Sequence, residues 1–259
     1  MKELTASDVR EWIKNVATGE FHYKQIKDGT IDPQLFPKLR NIMSDLIRAK
    51  EPVVEPVGKK DGYYRPIQDL PEPIDFKNVT AKMEFPLILP FDLRRYVFIY
   101  PKTVSVVAGS KSSAKTGFLY RTAVLNMNNT PTVLLSNMEG GKGQMADRFT
   151  AMGVDLDSSP LTVYHVCENF HDFVKQPSTL YLIDYIDAPE GTEFYIIGGL
   201  ISKIQRKLDI TSVAVIGLQK PSRRDIAYGG EGTLKDATLY LALDTHKLKI
   251  VDAKVPADP

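Results

Sequence analysis

Gly109, Lys115 and Thr116 stand at the spacing of a phosphate-binding loop, Gly109-x4-Ala114-Lys115-Thr116. The chemistry needs these residue types in this order. Glycine lets the chain turn tightly where a strand ends, and small residues let backbone N–H groups close on phosphate oxygens. The segment that would wrap the phosphates is Gly109, Ser110, Lys111, Ser112, Ser113, Ala114, Lys115, Thr116 and Gly117. Lys115 supplies a compact positive charge for the β- and γ-phosphates, and the Thr116 hydroxyl is a ligand for Mg2+. Such a loop works between a buried strand and a helix. Residues 104–108 read as an apolar strand, and residues 117–127 have helical character whose N-terminal dipole would face the phosphates. Ala114 stands where glycine is usual, and alanine fits if that position has right-handed helical dihedrals. The alternative is a Ser/Lys/Gly surface turn.

A phosphate loop also needs a carboxylate that holds the metal. Leu180-Tyr-Leu-Ile-Asp184 is an apolar run ending in one, as expected at the C-terminal edge of a neighbouring buried strand. Asp184 there would hold a Mg2+-bound water, with Asp187 the nearby alternative, although any buried strand can end in aspartate. Between the two, Val133-Leu-Leu-Ser-Asn-Met-Glu139 places a carboxylate where it would polarise an attacking water. Glu139 also reads as a helix-initiating residue before Gly140 and Gly141. A later apolar run, residues 213–218, ends in Gln219, an uncharged group able to sense the γ-phosphate. The basic and glycine-rich loop 220–233 that follows is either a mobile ligand-binding loop or a solvated surface loop.

These residues need a scaffold, and 259 residues can hold one large α/β domain plus a small module. The chain is 43% hydrophobic, which excludes wholesale disorder. A net charge of +1 gives no global basic field, so any nucleic-acid site must be local. A single cysteine, Cys167, excludes a disulfide within the chain and a multi-cysteine zinc site, and the four histidines lack metal-ligand spacing. Apolar runs are strand-length and the N-terminus has no apolar signal segment, so the expectation is a cytoplasmic protein with no membrane span.

Strand patterns at 104–108, 132–136, 162–165, 179–183, 212–218, 237–243 and 248–252 alternate with helical patterns at 115–127, 142–152 and 193–208. This predicts a mainly parallel sheet with helices on both faces over residues 86–259, its last two strands antiparallel across the tight turn 244–247. A proline-broken polar stretch, 69–85, reads as a linker. Before it, residues 1–68 predict a small module. Ser7 would cap a helix over 8–16, burying Val9, Trp12, Ile13 and Val16. A short helix follows at 23–27 and a third helix from about 34 to 50. Extended runs 52–57 and 63–67 then form a hairpin with a basic tip. Three helices and a basic-tipped hairpin follow the order of a winged helix-turn-helix.

Taken in order, the elements of residues 90–259 resemble the RecA-like P-loop ATPases, in particular the branch of hexameric DnaB-type replicative helicases and their phage and mobile-element relatives. The marks are Ala-Gly-Ser-Lys-Ser-Ser-Ala-Lys-Thr at 108–116, and Leu-Ser-Asn-Met-Glu at 135–139 with Gln144 and Arg148 after it. Leu-Ile-Asp-Tyr-Ile at 182–186, Ile-Gly-Leu-Gln-Lys at 216–220 and Lys-Asp-Ala-Thr-Leu-Tyr-Leu at 235–241 complete them. The ordered set also matches RecA-like proteins that carry an N-terminal winged helix. The resemblance implies an α/β RecA-like core binding ATP and Mg2+, with Lys115 and Thr116 on phosphate and metal. Glu139 becomes the catalytic base, Asp184 the metal carboxylate and Gln219 the γ-phosphate sensor.

The resemblance further implies a homo-oligomer, a hexamer in this branch, in which a basic residue after the last strand pair reaches a neighbour's ATP site. Lys254 is the matching position, ahead of Lys249, and no arginine stands there. DNA, single- or double-stranded, would be held by loops 185–193 and 220–233, with Arg223 and Arg224 on its phosphates. In a winged helix the third helix enters the major groove and the wing touches the backbone. Here that helix carries Lys38 and Arg40, and the wing Lys59 and Lys60. Many winged helices contact proteins instead. The chain departs from the helicase branch in having this module where a helical, primase-interacting domain is usual. The function implied is an ATP-driven DNA motor or assembly factor in replication, recombination or mobile-element biology, with a replication or recombination protein as partner. The alternative is an ATP-gated DNA-binding adaptor; a small-molecule kinase fits less well because no acceptor-binding motif is present.

Overall fold

The computed structural model describes residues 4–29, 31–58, 60–68, 73, 84–138, 140–188 and 191–257. The chain forms two compact units, Met1–Val79 and Thr80–Pro259. Most of the linker 69–85, together with Lys59 and Glu139, lies outside the described residues.

In the first unit, α1 (Ala6–Asn15) starts one residue after Thr5. Thr5 and Asp8 form a reciprocal capping box, so the cap lies two residues before the expected Ser7. Val9 and Ile13 are buried, whereas Val16 is exposed as the helix ends. Strand β1 (Phe21–His22) follows, and the predicted second helix is a 3-10 segment, Tyr23–Gly29. The expected third helix divides into a 3-10 turn, Pro33–Leu35, capped by the Asp32 side chain, and α2 (Phe36–Arg48). Strands β2 (Val54–Pro56) and β3 (Tyr63–Pro66) pair antiparallel, and β1 adds to the far side of β3, giving the order β1-β3-β2. Leu39, Ile42, Met43 and Leu46 of α2 close a core with Val9, Ile13, Phe21 and Val54.

The second unit is α/β. Its chain runs β4 (Thr103–Gly109), α3 (Lys115–Asn126), β5 (Thr132–Ser136), α4 (Gly141–Ala151) and β6 (Thr162–His165). It continues with β7 (Leu180–Ile186), α5 (Ile196–Lys207), β8 (Val213–Gln219), β9 (Ala237–Asp244) and β10 (Lys247–Ala253). The seven strands form one sheet in the order β10-β9-β4-β8-β7-β5-β6. Every pairing is parallel except β9–β10.

Alternate side chains of a strand point to opposite faces, and the two cores follow that parity. Val107, Leu134, Leu180, Leu182, Val213 and Val215 pack with Phe118 and Leu119 of α3 and Phe149 of α4. Val106, Val133, Tyr181, Ile183, Ala214 and Ile216 pack with Ile197, Ile201 and Ile204 of α5 on the other face. Near-continuous apolar strands are what a sheet covered on both faces requires. Among the described residues, no helix is long and apolar enough to cross a membrane.

Candidate functional site

Strand parity carries the site residues to one side of the sheet. Gly109 shares the face of Val107, Asp184 that of Leu180 and Leu182, and Gln219 that of Val213 and Val215; this is the face covered by α3. Gly109 lies opposite Gln219 in the β4–β8 register, and Ser136 lies opposite Asp184 in β5–β7. The C-terminal strand ends converge at the N-terminus of α3, the usual ligand side of an open parallel sheet.

The loop between β4 and α3 closes tightly. A Cβ at Gly109 would stand 2.4 Å from Ser113 Oγ and 3.0 Å from Lys115 Cβ, so a side chain here would force the loop to shift. A Cβ at Gly217 would stand 3.0 Å from Leu119 and 3.4 Å from Lys115 Cδ, so this glycine lets α3 and the lysine stem lie close on β8. Thr116, in the first turn of α3, donates its hydroxyl to Asp184 Oδ1 at 3.2 Å. Asp184 is buried. The Lys115 ammonium stands 4.0 Å from the centre of the Tyr185 ring. Residues 110–117, with Arg148, Met152, Tyr185 and Gln219, line a cleft of about 680 Å3.

Ala114 corrects the expectation of right-handed dihedrals. Its φ of 66° and ψ of 26° are left-handed, and Ser112 shares that region with φ 62°. A left-handed residue with a Cβ costs about 1–2 kcal/mol. Ala114→Gly is therefore expected to raise the unfolding free energy by about 1 kcal/mol, less than the full strain because glycine frees the unfolded chain. Urea denaturation checks this; no gain would mean the loop carries no strain at 114.

The Ser113 hydroxyl is buried without a hydrogen-bond partner. Buried polar groups in native folds are almost always satisfied, so an acceptor-rich ligand on this loop meets an existing need. Thr116 and Asp184 are an oxygen donor pair of the kind Mg2+ uses alongside phosphates. Among the described residues no group of three His, Cys, Asp or Glu comes together. The donors thus fit a metal that takes its remaining ligands from nucleotide and water.

Other predicted residues separate from this cleft. Asp187 is exposed and accepts the Ala188 N–H, so Asp184 is the carboxylate that meets the loop. Glu139 lies outside the described residues, but β5 ends beside Asp184: the Asn137 N–H donates to the Asp184 carbonyl at 3.1 Å. Arg223 and Arg224 are exposed on the loop after β8. That loop touches the one after β7, because Phe194 and Tyr228 stack with centroids 4.8 Å apart. Lys254 donates to the Lys235 carbonyl of its own chain at 2.8 Å, and Lys249 pairs with Asp225. In the first unit Lys38 is exposed on α2. Arg40 lies over the Tyr23 ring and pairs with Asp61 at 3.3 Å, while Lys60 pairs with Glu20 at 3.1 Å.

Sequence reasoning missed four contributors. Tyr120 of α3 stacks on Phe149; burial and the nearby Asp184 charge push its hydroxyl up to about 12, so it stays neutral. Tyr185 directly follows Asp184 and faces Lys115. The fully buried Lys220 ammonium pairs with the partly exposed Asp244 behind the loop, and hydrogen bonds from Lys220 and Ser110 hold the Asp244 carboxyl below its ordinary range. Their signal was a charge placed directly after an apolar strand. A second compartment of about 1000 Å3 adjoins the loop through Ser113, Ala114 and Gly117, with Phe91, Phe118, Leu248, Asp92, Arg121 and His246 in its lining. Phe91 and Asp92 are both left-handed, and the Phe91 ring is 73% exposed. No protein-family model matches the chain, and comparison with curated proteins finds no match.

Proposed function

We propose that this chain is an ATP-hydrolysing protein of the RecA-like P-loop class, akin to the DnaB-type helicase branch, that acts on DNA as a homo-oligomer. The observation that carries the reading is the 3.2 Å contact between Thr116 and Asp184, made across two strands at the N-terminus of α3. A generic surface turn has no reason to bury a carboxylate against the residue after its lysine. The parallel order of strands, with β8 between the loop strand and the Asp184 strand, supports the same class.

In this reading the loop N–H groups and Lys115 bind the phosphates, and Thr116 and Asp184 would hold Mg2+. Bound there, the ion supplies charge neutralisation for the transferring phosphoryl group. Lys115 stabilises charge on the same oxygens, Glu139 orients the attacking water, and Gln219 registers the terminal phosphate. The 1000 Å3 compartment, with Phe91, Phe118 and Leu248 beside Asp92, Arg121 and His246 in its lining, takes the nucleoside. The loops joined by Phe194 and Tyr228, with Arg223 and Arg224, suit a nucleic-acid strand, where aromatic faces stack on bases and arginines meet phosphates.

A second reading has its own support. Arg40 and Lys60, the expected DNA contacts of the winged-helix-like first unit, each face a carboxylate. Their charge is thereby offset, which favours a protein-contacting module and an ATP-gated adaptor. The test is Mg2+-ATP hydrolysis with and without single- and double-stranded DNA, with mass by light scattering. Turnover stimulated several-fold by DNA, in an oligomer, is expected. Nucleotide binding with turnover and assembly indifferent to DNA would sink the motor reading in favour of the adaptor.

A further inference from the structure

Lys220 is among the largest fully buried side chains of the protein, its charged end included. Lysine is almost never buried so completely unless paired. Its ammonium donates to Asp244 Oδ1 at 2.7 Å, and the same oxygen accepts the Ser110 hydroxyl at 3.1 Å. The main chain converges on the same point. The Lys220 N–H donates to the Gly109 carbonyl at 3.0 Å, and the Ser110 N–H to the Leu243 carbonyl at 3.3 Å.

The sheet does not need this pair to hold together. The β4–β8 and β4–β9 ladders already run to Gly109, opposite Gln219 and Leu243. What the ion pair grips is the residue beyond the ladders, Ser110, the first of the loop. We infer that Lys220 is a positioning residue for the phosphate loop: through Asp244 it fixes the Ser110 hydroxyl, and with it the path of the chain into residues 111–114. Asp244 also stands in the wall of the adjoining compartment, so the pair ties that compartment to the phosphate cleft. The inference deepens the nucleotide reading and rests on it for the ligand alone.

Four proteins decide it: wild type, Lys220→Met, Asp244→Leu, and the two changes combined. Asp244→Leu strands the fully buried Lys220 ammonium, whereas Lys220→Met leaves a carboxylate that water reaches, and replacing both by apolar groups is close to neutral for stability. The double variant should therefore recover the unfolding midpoint that Asp244→Leu loses. Each protein is titrated with magnesium tripolyphosphate and Mg2+-ATP, and hydrogen exchange is measured over residues 109–117 without ligand. All three variants are expected to bind tripolyphosphate about tenfold more weakly, and to exchange about tenfold faster in this segment, because Lys220→Met leaves the Asp244 acceptor of Ser110 unanchored and the other two remove it. A double variant that regains affinity and protection along with stability overturns the inference and leaves the pair purely structural. Should wild type bind neither polyphosphate nor ATP, the nucleotide reading falls. The exchange measurement then still decides whether Lys220 positions the loop, and unchanged exchange overturns it.

Discussion

Replacing Lys115 with alanine is expected to lower Mg2+-ATP turnover about a thousandfold while the fold persists. The two halves of that expectation rest on different parts of one side chain. The ammonium faces the cleft beside Tyr185. A preorganised cation opposite transferring phosphate oxygens contributes about 3–4 kcal/mol to the transition state, and each 1.36 kcal/mol is a factor of ten. The stem packs against Gly109 and Gly217 at the entry to α3, and an alanine Cβ keeps the nearest of those contacts. Alanine is the best helix former, so it leaves the first turn of α3 intact. Steady-state hydrolysis beside circular dichroism and urea unfolding separates the effects. Turnover that survives the substitution would remove this cleft from any catalytic role, and a collapse of the fold would make Lys115 a structural residue.

How much of this site was readable depends on the physics each part obeys. Strand parity is local and strict, so the alternation in Leu180-Tyr-Leu-Ile-Asp184 and Val213-Ala-Val-Ile-Gly-Leu-Gln219 aims both end residues at the face of α3. The spacing from Gly109 to Thr116 is local too, and the expected strands 132–136 and 162–165 coincide with β5 and β6. The dihedrals of Ala114 obey loop closure, which overrides the residue's own right-handed preference. The Lys220–Asp244 pair joins residues 24 positions apart; they meet across the end of β4, which lies between β8 and β9, and no periodicity announces that order. The same holds for Arg40 and Lys60. The sequence displays their charges, while tertiary pairing with Asp61 and Glu20 decides how much of that charge a partner meets. In the Phe91–Asp92 turn only Asp92 is of a type that enters the left-handed region readily, and nothing marks Phe91 for it.

Asp184→Asn is expected to lower Mg2+-dependent turnover at least about a hundredfold, with unfolding free energy within about 1 kcal/mol of wild type. Asparagine matches aspartate in size and keeps an oxygen to accept the Thr116 hydroxyl, so the packing around β7 and α3 persists. What disappears is the negative charge, which a hard divalent cation requires of its carboxylate ligand. A purely structural carboxylate would behave in the opposite way. Buried and hydrogen-bonded, it would lose its stabilising partners on neutralisation, and the loss would appear in unfolding before activity. Combining the change with Thr116→Ala sharpens the test, because groups that serve one ion act as a unit and their effects do not add. The double variant should be no slower than the slower single variant. Additive losses would mean that Thr116 and Asp184 act apart, and that their 3.2 Å contact is a packing contact and not half of a metal site.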